Sequence, residues 1–262
     1  MKYGVVANPE KKECVRFAEY VIKKLNPTVE ERTAKVLGME GVPLEDMDAD
    51  IIITVGGDGA ILLTLQKAKG KILGINMGLL GFLTEIRPEE LESAIKRIEE
   101  GDYHVDRRMR LKIMLNGKRM HDCVNEAVIH TYEIARLRSY SIYYEDELLD
   151  DFRADGLIVA TPTGSTSYSL SAGGPILHPY MESFVFTPIA PFNRYPRSFV
   201  LPARRVRIEL KDGRKNLLVL DGQESIEIGG DDTVEIEKSE NYAEFIRFEK
   251  SVVSRIREKI LR

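Results

Sequence analysis

Four residues, Gly56-Gly57-Asp58-Gly59, follow the apolar run Ile51-Ile52-Ile53-Thr54-Val55 and set three glycines around one carboxylate. Glycines after a strand let backbone N–H groups approach an anion at the start of a helix, which is the geometry of a phosphate cradle. The aspartate does not belong in a simple cradle. A carboxylate about 4 Å from a phosphate oxygen is repelled by roughly 4 kcal/mol at an effective dielectric of about 20. It needs a compensating role, either holding Mg²⁺ or accepting the proton of a hydroxyl that is being phosphorylated. The loop therefore reads as phosphoryl-transfer chemistry rather than passive nucleotide binding.

A second constellation runs from Asp155 to Pro175. The strand-like Leu157-Ile158-Val159-Ala160 ends in Thr161-Pro162-Thr163-Gly164-Ser165-Thr166-Ser167-Tyr168-Ser169-Leu170-Ser171-Ala172-Gly173-Gly174-Pro175. Neutral hydroxyl donors and accessible backbone suit a polar ligand rich in acceptors, such as a nucleotide, and Tyr168 is the aromatic that can lie against a base. A plain Ser/Thr/Gly surface loop is the alternative, made less comfortable by a stretch of this length without Lys or Glu. Third, Asn125-Glu126 interrupts the apolar residues Val124 and Ala127-Val128-Ile129. Adjacent strand positions face opposite sides, so one of the two points inward, where an unpaired polar group is costly. A satisfied core hydrogen bond explains this pair as well as a ligand does. The stretch Gly74-Ile75-Asn76-Met77-Gly78-Leu79-Leu80-Gly81 is not a dinucleotide fingerprint, because Asn76 stands where the middle glycine is required. No G-x-x-x-x-G-K-[ST] loop is present, which disfavours a Walker-type ATPase.

The elements that must position these groups fall into two textures. Up to about residue 100, strand signals at Tyr3–Ala7, Ile51–Val55 and Lys71–Asn76 alternate with helical spacing over Lys12–Leu25, Ala60–Lys69 and Pro88–Glu100. Such alternation implies a parallel sheet with ligands at the carboxyl ends of its strands, where Asp58 would sit. From about Asp102 short β-type segments take over: Leu111–Leu115, Cys123–His130, Ser139–Tyr144, Leu157–Ala160, Val206–Leu210, Asn216–Asp221, Ser225–Ile228 and Thr233–Glu237. Asn116-Gly117 and Asp212-Gly213 are the sharpest hairpin signals. In the tail, Val252, Ile256 and Ile260 recur every four residues, which predicts an amphipathic helix returning to the first domain. The expected domains are thus 1–101, joined by 238–262, and a β-rich 102–237.

Composition narrows the class. The 262 residues are 43% hydrophobic and 31% charged, with a net charge of −4, so a nucleic-acid partner is not expected. No apolar run approaches the roughly 18 residues that would span a bilayer, and no signal-peptide core follows Met1-Lys2. Cys14 and Cys123 read as free thiols of a reducing cytoplasm. The four histidines, His104, His121, His130 and His178, lack metal-ligand spacing. Arg107-Arg108-Met109-Arg110 offers cations to phosphates, with a solvated strand entrance the weightier reading, and Arg204-Arg205 reads the same way.

Taken together, the segments resemble the NAD kinase family. The resemblance rests on Gly56-Gly57-Asp58-Gly59, Gly74-Ile75-Asn76 through Gly81-Phe82-Leu83-Thr84-Glu85, Asn125-Glu126, the stretch Asp155–Pro175 and Asp221-Gly222-Gln223, in the family's order from about residue 50 to 225. Gly-Gly-Asp-Gly by itself is shared with diacylglycerol-type lipid kinases and phosphofructokinases; its combination with the Asn-Glu pair and the Thr163–Gly174 loop is far more specific.

The resemblance implies transfer of a phosphoryl group from ATP or polyphosphate, with Mg²⁺ or another divalent cation, to the 2′-hydroxyl of the adenosine ribose of NAD⁺. On the same ground Asp58 is the general base, and Gly56, Gly57 and Gly59 form the phosphate loop. Gly59, Asn125, Glu126, Asp155, Thr166, Ser167, Tyr168, Ser169, Leu170 and Ser171 contact the dinucleotide, with Arg136, Arg153, Thr163, Ala190 and Gln223 also lining the site. An N-terminal α/β domain, a C-terminal β-sandwich domain and a cytoplasmic homodimer or homotetramer are implied as well. Two departures stand out: Ala60 replaces the family's Thr after the glycine motif, and the match fades beyond Pro188 up to Pro196. The rival readings are a lipid or sugar kinase sharing only the Gly-Gly-Asp-Gly loop, and a non-catalytic NADP-sensing protein of the same fold.

Overall fold

In the computed structural model, residues 1–78, 81–133, 136–192, 197–211 and 213–248 are described. They form two units: Met1–Arg107 with Glu244–Phe248, and Arg108–Ala243.

In the first unit, strands β1 (Tyr3–Ala7), β2 (Thr28–Val29), β3 (Ile51–Gly56), β4 (Lys71–Asn76) and β5 (His104–Arg108) alternate with helices α1 (Lys12–Leu25), α2 (Glu31–Leu37), α3 (Asp58–Lys67) and α4 (Leu91–Glu99). The last described strand of the chain, β18 (Ala243–Arg247), also enters this sheet, whose order is β2-β1-β3-β4-β18-β5. β1 pairs in parallel with β2 and β3, and β4 with β3 and β18. Helices cover a parallel sheet, so its central strands are buried on both faces and read as continuous apolar runs; every residue of Ile51–Gly56 is buried. Val5, Ile53, Val55, Leu73 and Ile75 pack with Cys14, Ala18 and Val21 of α1 and Leu91, Ala94, Ile95 and Ile98 of α4.

Helix α2 had no visible signal in the sequence. It is seven residues long, held by the buried Glu30 side chain, which accepts the N–H groups of Arg32 and Thr33, and it ends at Gly38 with φ 69°. The tail helix expected over Ser251–Leu261 lies outside the described residues.

The second unit is antiparallel throughout. One sheet, β10-β9-β14-β17-β6-β7, comprises β6 (Leu111–Leu115), β7 (Lys118–Arg119), β9 (Arg138–Tyr144), β10 (Glu147–Ala154), β14 (Val206–Leu210) and β17 (Thr233–Lys238). The other, β13-β12-β11-β8-β15-β16, comprises β8 (Glu126–Thr131), β11 (Gly156–Ala160), β12 (Ser183–Ile189), β13 (Phe199–Pro202), β15 (Asn216–Leu220) and β16 (Glu224–Ile228). Alternate residues of both sheets (Ile113, Tyr140, Ile142, Ile208 and Ile236 from one; Ile129, Leu157, Phe184, Phe186 and Leu218 from the other) share one core, as in a β-sandwich. The second sheet also buries its outer face: Val128, Ile158, Ala160 and Val185 pack with Leu177. That outer layer is the hydroxyl-rich segment after β11, which contains the one-turn helix α5 (Tyr168–Ser171).

β2, β5, β7, β10, β12, β13 and β18 had no counterpart among the expected strands, and one expected strand shifts. The predicted strand at Cys123–His130 is β8, Glu126–Thr131, with Cys123 making only an isolated bridge to Leu111. β10 was not expected because Glu147, Asp150, Asp151 and Arg153 make it polar; it is an edge strand whose pairing with β9 carries a bulge between Leu148 and Asp150. β12 was also missed, although six of its seven residues are buried. Asn116 and Gly117, at φ 51° and 75°, form the expected turn between β6 and β7; Asp212 lies outside the described residues.

Candidate active site

In the first unit the carboxyl end of β3 turns through Gly57 into α3, and Asp58 is the first residue of that helix. The first N–H groups of a helix have no partner within it, and a Cβ at Gly57 would meet nothing, so the glycine turn leaves open space before a helix N-terminus. Gly59 is exposed and Ala60 is half-buried.

The Asp58 carboxylate is held by the backbone amides of residues 82–84. Oδ2 accepts the N–H of Phe82 at 2.7 Å, and Oδ1 accepts those of Leu83 at 3.0 Å and Thr84 at 3.4 Å. Gly81 makes this possible, because a Cβ there would overlap the Asp58 carboxylate. Gly74 does the same from below: a Cβ would lie 2.9 Å from the Thr84 Cα and 2.6 Å from Ile61 Cδ1. A carboxylate has about four acceptor positions. Among the described residues Asp58 uses three of them, leaving one on Oδ2.

In the second unit a different carboxylate does the holding. Asp221 and Gly222, at φ 50° and 65°, form the turn between β15 and β16, closed by Gln223 N–H donating to Leu220 O at 2.9 Å. Asp221 Oδ2 accepts the N–H of Val124 at 2.7 Å, and Oδ1 accepts those of Asn125 at 2.7 Å and Glu126 at 3.0 Å. The Asn125-Glu126 pair is further clamped from the β11 side. Thr161 N–H donates to Asn125 O at 2.8 Å and Thr161 Oγ1 to Val124 O at 2.6 Å, while a Cβ at Gly164 would overlap the Asn125 carbonyl. Both members of the pair are buried, because Asn125 precedes the strand and does not follow its alternation.

Electrostatics separate the two acids. Burial pushes Asp221 up to about 6, against the pull of its three amide donors and of the Arg110 guanidinium. Burial, and then the charge of Asp221, push Glu126 up to about 8, with a small opposing pull from the Ser167 hydroxyl. Of the two, Asp221 is the stronger acid and Glu126 holds its proton to higher pH, which makes Glu126 the member able to donate a hydrogen bond. Ser167 Oγ donates to Glu126 Oε1 at 3.3 Å. Glu126 Oε2 and Thr163 Oγ1 are buried with no partner among the described residues, the pattern of groups that a polar ligand would satisfy.

The other expected residues are placed unevenly. Thr166 closes its short turn by donating to Thr163 O, and Tyr168 is 41% exposed at the start of α5. Ser169 is buried and shares a hydrogen bond with Thr187 at 2.8 Å, while Leu170 is half-buried and Ser171 exposed. Asp155 joins strands through its backbone, with N–H donating to Ile189 O and its carbonyl accepting from Thr131 N–H. Ala190 follows β12 at φ 45°, and Arg153 on β10 lies over the exposed Phe192 ring at 5.3 Å. Arg136 is on the surface, 3.4 Å from Glu133. Gln223 donates to Asp221 O at 3.3 Å. Asp221 and Thr161 were not singled out as site residues; the Asp-Gly pair between two apolar runs was the signal for the former. The arginine cluster is a correction: Arg108 and Arg110 are buried, Arg108 over Tyr180 and Arg110 donating to Asp122 O at 2.7 Å, instead of forming a solvated entrance.

No group of three or more His, Cys, Asp or Glu among the described residues is placed to hold a metal ion.

Residues 3–103 match the family model of the ATP-NAD kinase N-terminal domain and residues 124–248 that of the ATP-NAD kinase C-terminal domain. The chain belongs to the NAD kinase family. The NAD kinase of Thermoplasma volcanium is 42% identical to it over 269 residues, covering 100% of this chain and 98% of that protein; that of Thermoplasma acidophilum is 43% identical with the same coverage. Among solved structures, an NAD kinase from Archaeoglobus fulgidus in complex with ATP matches with a TM-score of 0.79 at 33% identity, over 99% of this chain and 97% of that one. Yeast NADH kinase complexed with NADH matches over 100% of this chain and 87% of its own, with a TM-score of 0.88; at 23% identity this shows the NAD kinase fold alone.

Proposed function

We propose that this NAD kinase family member transfers a phosphoryl group to the 2′-hydroxyl of the adenosine ribose of NAD⁺, giving NADP⁺. The observation that carries the reading is the Asp58 carboxylate, aimed by three backbone amides with one acceptor position left on Oδ2. That position takes the hydroxyl proton as the 2′-oxygen forms its bond to phosphorus and the donor's bridging P–O bond breaks. General-base assistance of this kind is worth on the order of 10²–10⁴-fold.

NAD⁺ lies along Thr163–Ser171, with Tyr168 against a base, and with Asn125 and Glu126 supplying hydrogen bonds. Arg136, Arg153, Asp155, Ala190 and Gln223 form its outer lining. The donor is ATP, a reading supported by the full-length similarity to a protein crystallised with ATP; polyphosphate is the alternative donor. Its phosphates sit at the Gly56–Gly59 turn, and Mg²⁺ enters as their companion rather than as a resident ion. A homodimer or homotetramer in the cytoplasm completes the proposal, and sizing chromatography tests the assembly. No helix of the described residues is long and apolar enough to cross a membrane.

A lipid or sugar kinase would not need the nucleotide-suited second loop, and a non-catalytic sensor would not need Asp58. The test is incubation of the purified protein with NAD⁺, ATP and Mg²⁺, with NADP⁺ read by an NADP-specific dehydrogenase. Product that disappears in Asp58→Asn supports both reaction and base. A blank with ATP and again with polyphosphate overturns the kinase reading in favour of the sensor.

A further inference from the structure

Behind the amides that hold Asp58 lies a buried ionic cluster that the proposed chemistry does not use. Arg247, at the end of β18, is 2% exposed. Its Nη1 donates to Leu83 O at 3.0 Å, Thr84 O at 3.2 Å and Glu85 Oε2 at 2.9 Å, and its Nε donates to Asp106 Oδ2 at 3.3 Å. The side chains of Arg247, Glu85 and Asp106 are each no more than 3% exposed. Glu85 Oε1 in turn accepts the Phe248 N–H at 2.8 Å, so the cluster ties the end of β18 to the 82–85 segment.

The Leu83–Thr84 peptide is held at both ends. Its carbonyl oxygen accepts from the Arg247 guanidinium, and its N–H donates to Asp58 Oδ1 at 3.4 Å. The next peptide is fixed likewise, with Thr84 O on Arg247 and Glu85 N–H on Gly74 O at 2.8 Å. A cation on a peptide carbonyl polarises that peptide, strengthens its N–H as a donor and fixes its plane. Nη1 shares its two N–H groups among three acceptors while Nε of the same plane reaches Asp106, a two-nitrogen fork that a single Lys ammonium does not reproduce.

We propose that Arg247 is a positioning residue for Asp58, acting through the Leu83 and Thr84 peptides to hold the carboxylate at the angle proton transfer requires. The proposal rests on Asp58 being the general base. Buried ion clusters usually contribute little net stability, since desolvation offsets attraction. A role in aiming a reactive group gives this one a reason beyond stability.

The experiment is a double-mutant cycle on the full chain, with kcat, NAD⁺ affinity and Tm measured for wild type, R247K, D58N and R247K/D58N. Expected are a roughly 10- to 100-fold lower kcat in R247K with NAD⁺ affinity within about twofold, and no further loss when R247K is added to D58N. Equal losses in both backgrounds, or wild-type kcat in R247K, overturn the proposal while leaving the base assignment standing. Near-normal turnover in D58N removes the base assignment, and the proposal with it. Should R247K not fold, R247M/E85Q, which keeps the cluster's net charge, is read in the same cycle.

Discussion

The two units each hold one aspartate by the same device. Asp58 accepts N–H groups from residues 82, 83 and 84, and Asp221 accepts them from residues 124, 125 and 126. What differs is where the carboxylate sits. Asp58 is half-buried at a helix N-terminus beside glycines, where a ligand can reach it. Asp221 is 3% exposed, in a tight turn, and faces a second acid, Glu126. The same three bonds therefore aim a group in one unit and anchor a chain segment in the other. On the proposed mechanism the difference lies in access, because the hydrogen-bond pattern is the same in both and leaves one acceptor position on each Oδ2.

The comparison breaks first at Asp58. Asp58→Asn should lower kcat by about 10²–10⁴-fold while NAD⁺ affinity stays within about twofold, as read by NADP⁺ formation and calorimetry. A variant that turns over near the wild-type rate would make Asp58 an anchor like Asp221. Asp221→Ala is expected to cost about 3 kcal/mol of stability, because buried N–H groups lose their acceptor and Arg110 loses a counter-charge. Urea melts beside Asp58→Ala check it: equal losses for the two would erase the difference between anchored and accessible carboxylate.

Glu126 sharpens the contrast through pH. Folding raises it from 4.5 to about 8, so the folded chain binds the proton more tightly than the unfolded chain. The stability this contributes is present in full below about 4.5 and is lost as pH rises through about 8. Asp221, raised from 3.8 to about 6, makes its own contribution lower in that range. Glu126→Gln, neutral at every pH, should therefore flatten the fall in stability between about pH 6 and 8 and exceed wild type at about pH 9 by on the order of 1 kcal/mol. Parallel pH profiles for the two proteins would mean that Glu126 is ionised in the fold. The smallest effect is expected at Tyr168, where Tyr168→Ala should weaken NAD⁺ binding by roughly 1 kcal/mol through lost stacking. Unchanged affinity in a titration would remove the ring from the site.

Much of this was legible because local rules governed it. The Ile51–Val55 run, the glycines after it, and the helical spacing of Val15, Ala18, Val21 and Ile22 reflect burial on both faces of a strand and on one face of a helix. The Asn116-Gly117 turn needs two residues at positive φ, and its residues announce it. β10 was not legible, because an edge strand with polar side chains is recruited by its pairing with β9. The burial of both Asn125 and Glu126 was only half legible: alternation implied one inward residue, but the strand begins after Asn125.

Sequence alone determined which groups are candidates for the proposed chemistry and in what order they come. Side-chain type decides what can be a base, a phosphate cradle or a hydroxyl-rich loop, and type is written residue by residue. Only the tertiary structure decided how those groups are aimed. The donors to Asp58 lie some 24 to 26 positions further along the chain, those to Asp221 some 95 to 97 positions earlier, and all are backbone N–H groups. Every residue but proline carries such a group, so no residue type marks the one that will be used. Arg247 is recognisable as a cation in the sequence, but its partners at Leu83, Thr84, Glu85 and Asp106 are 141 to 164 residues away, brought to it by the return of β18 to the first sheet.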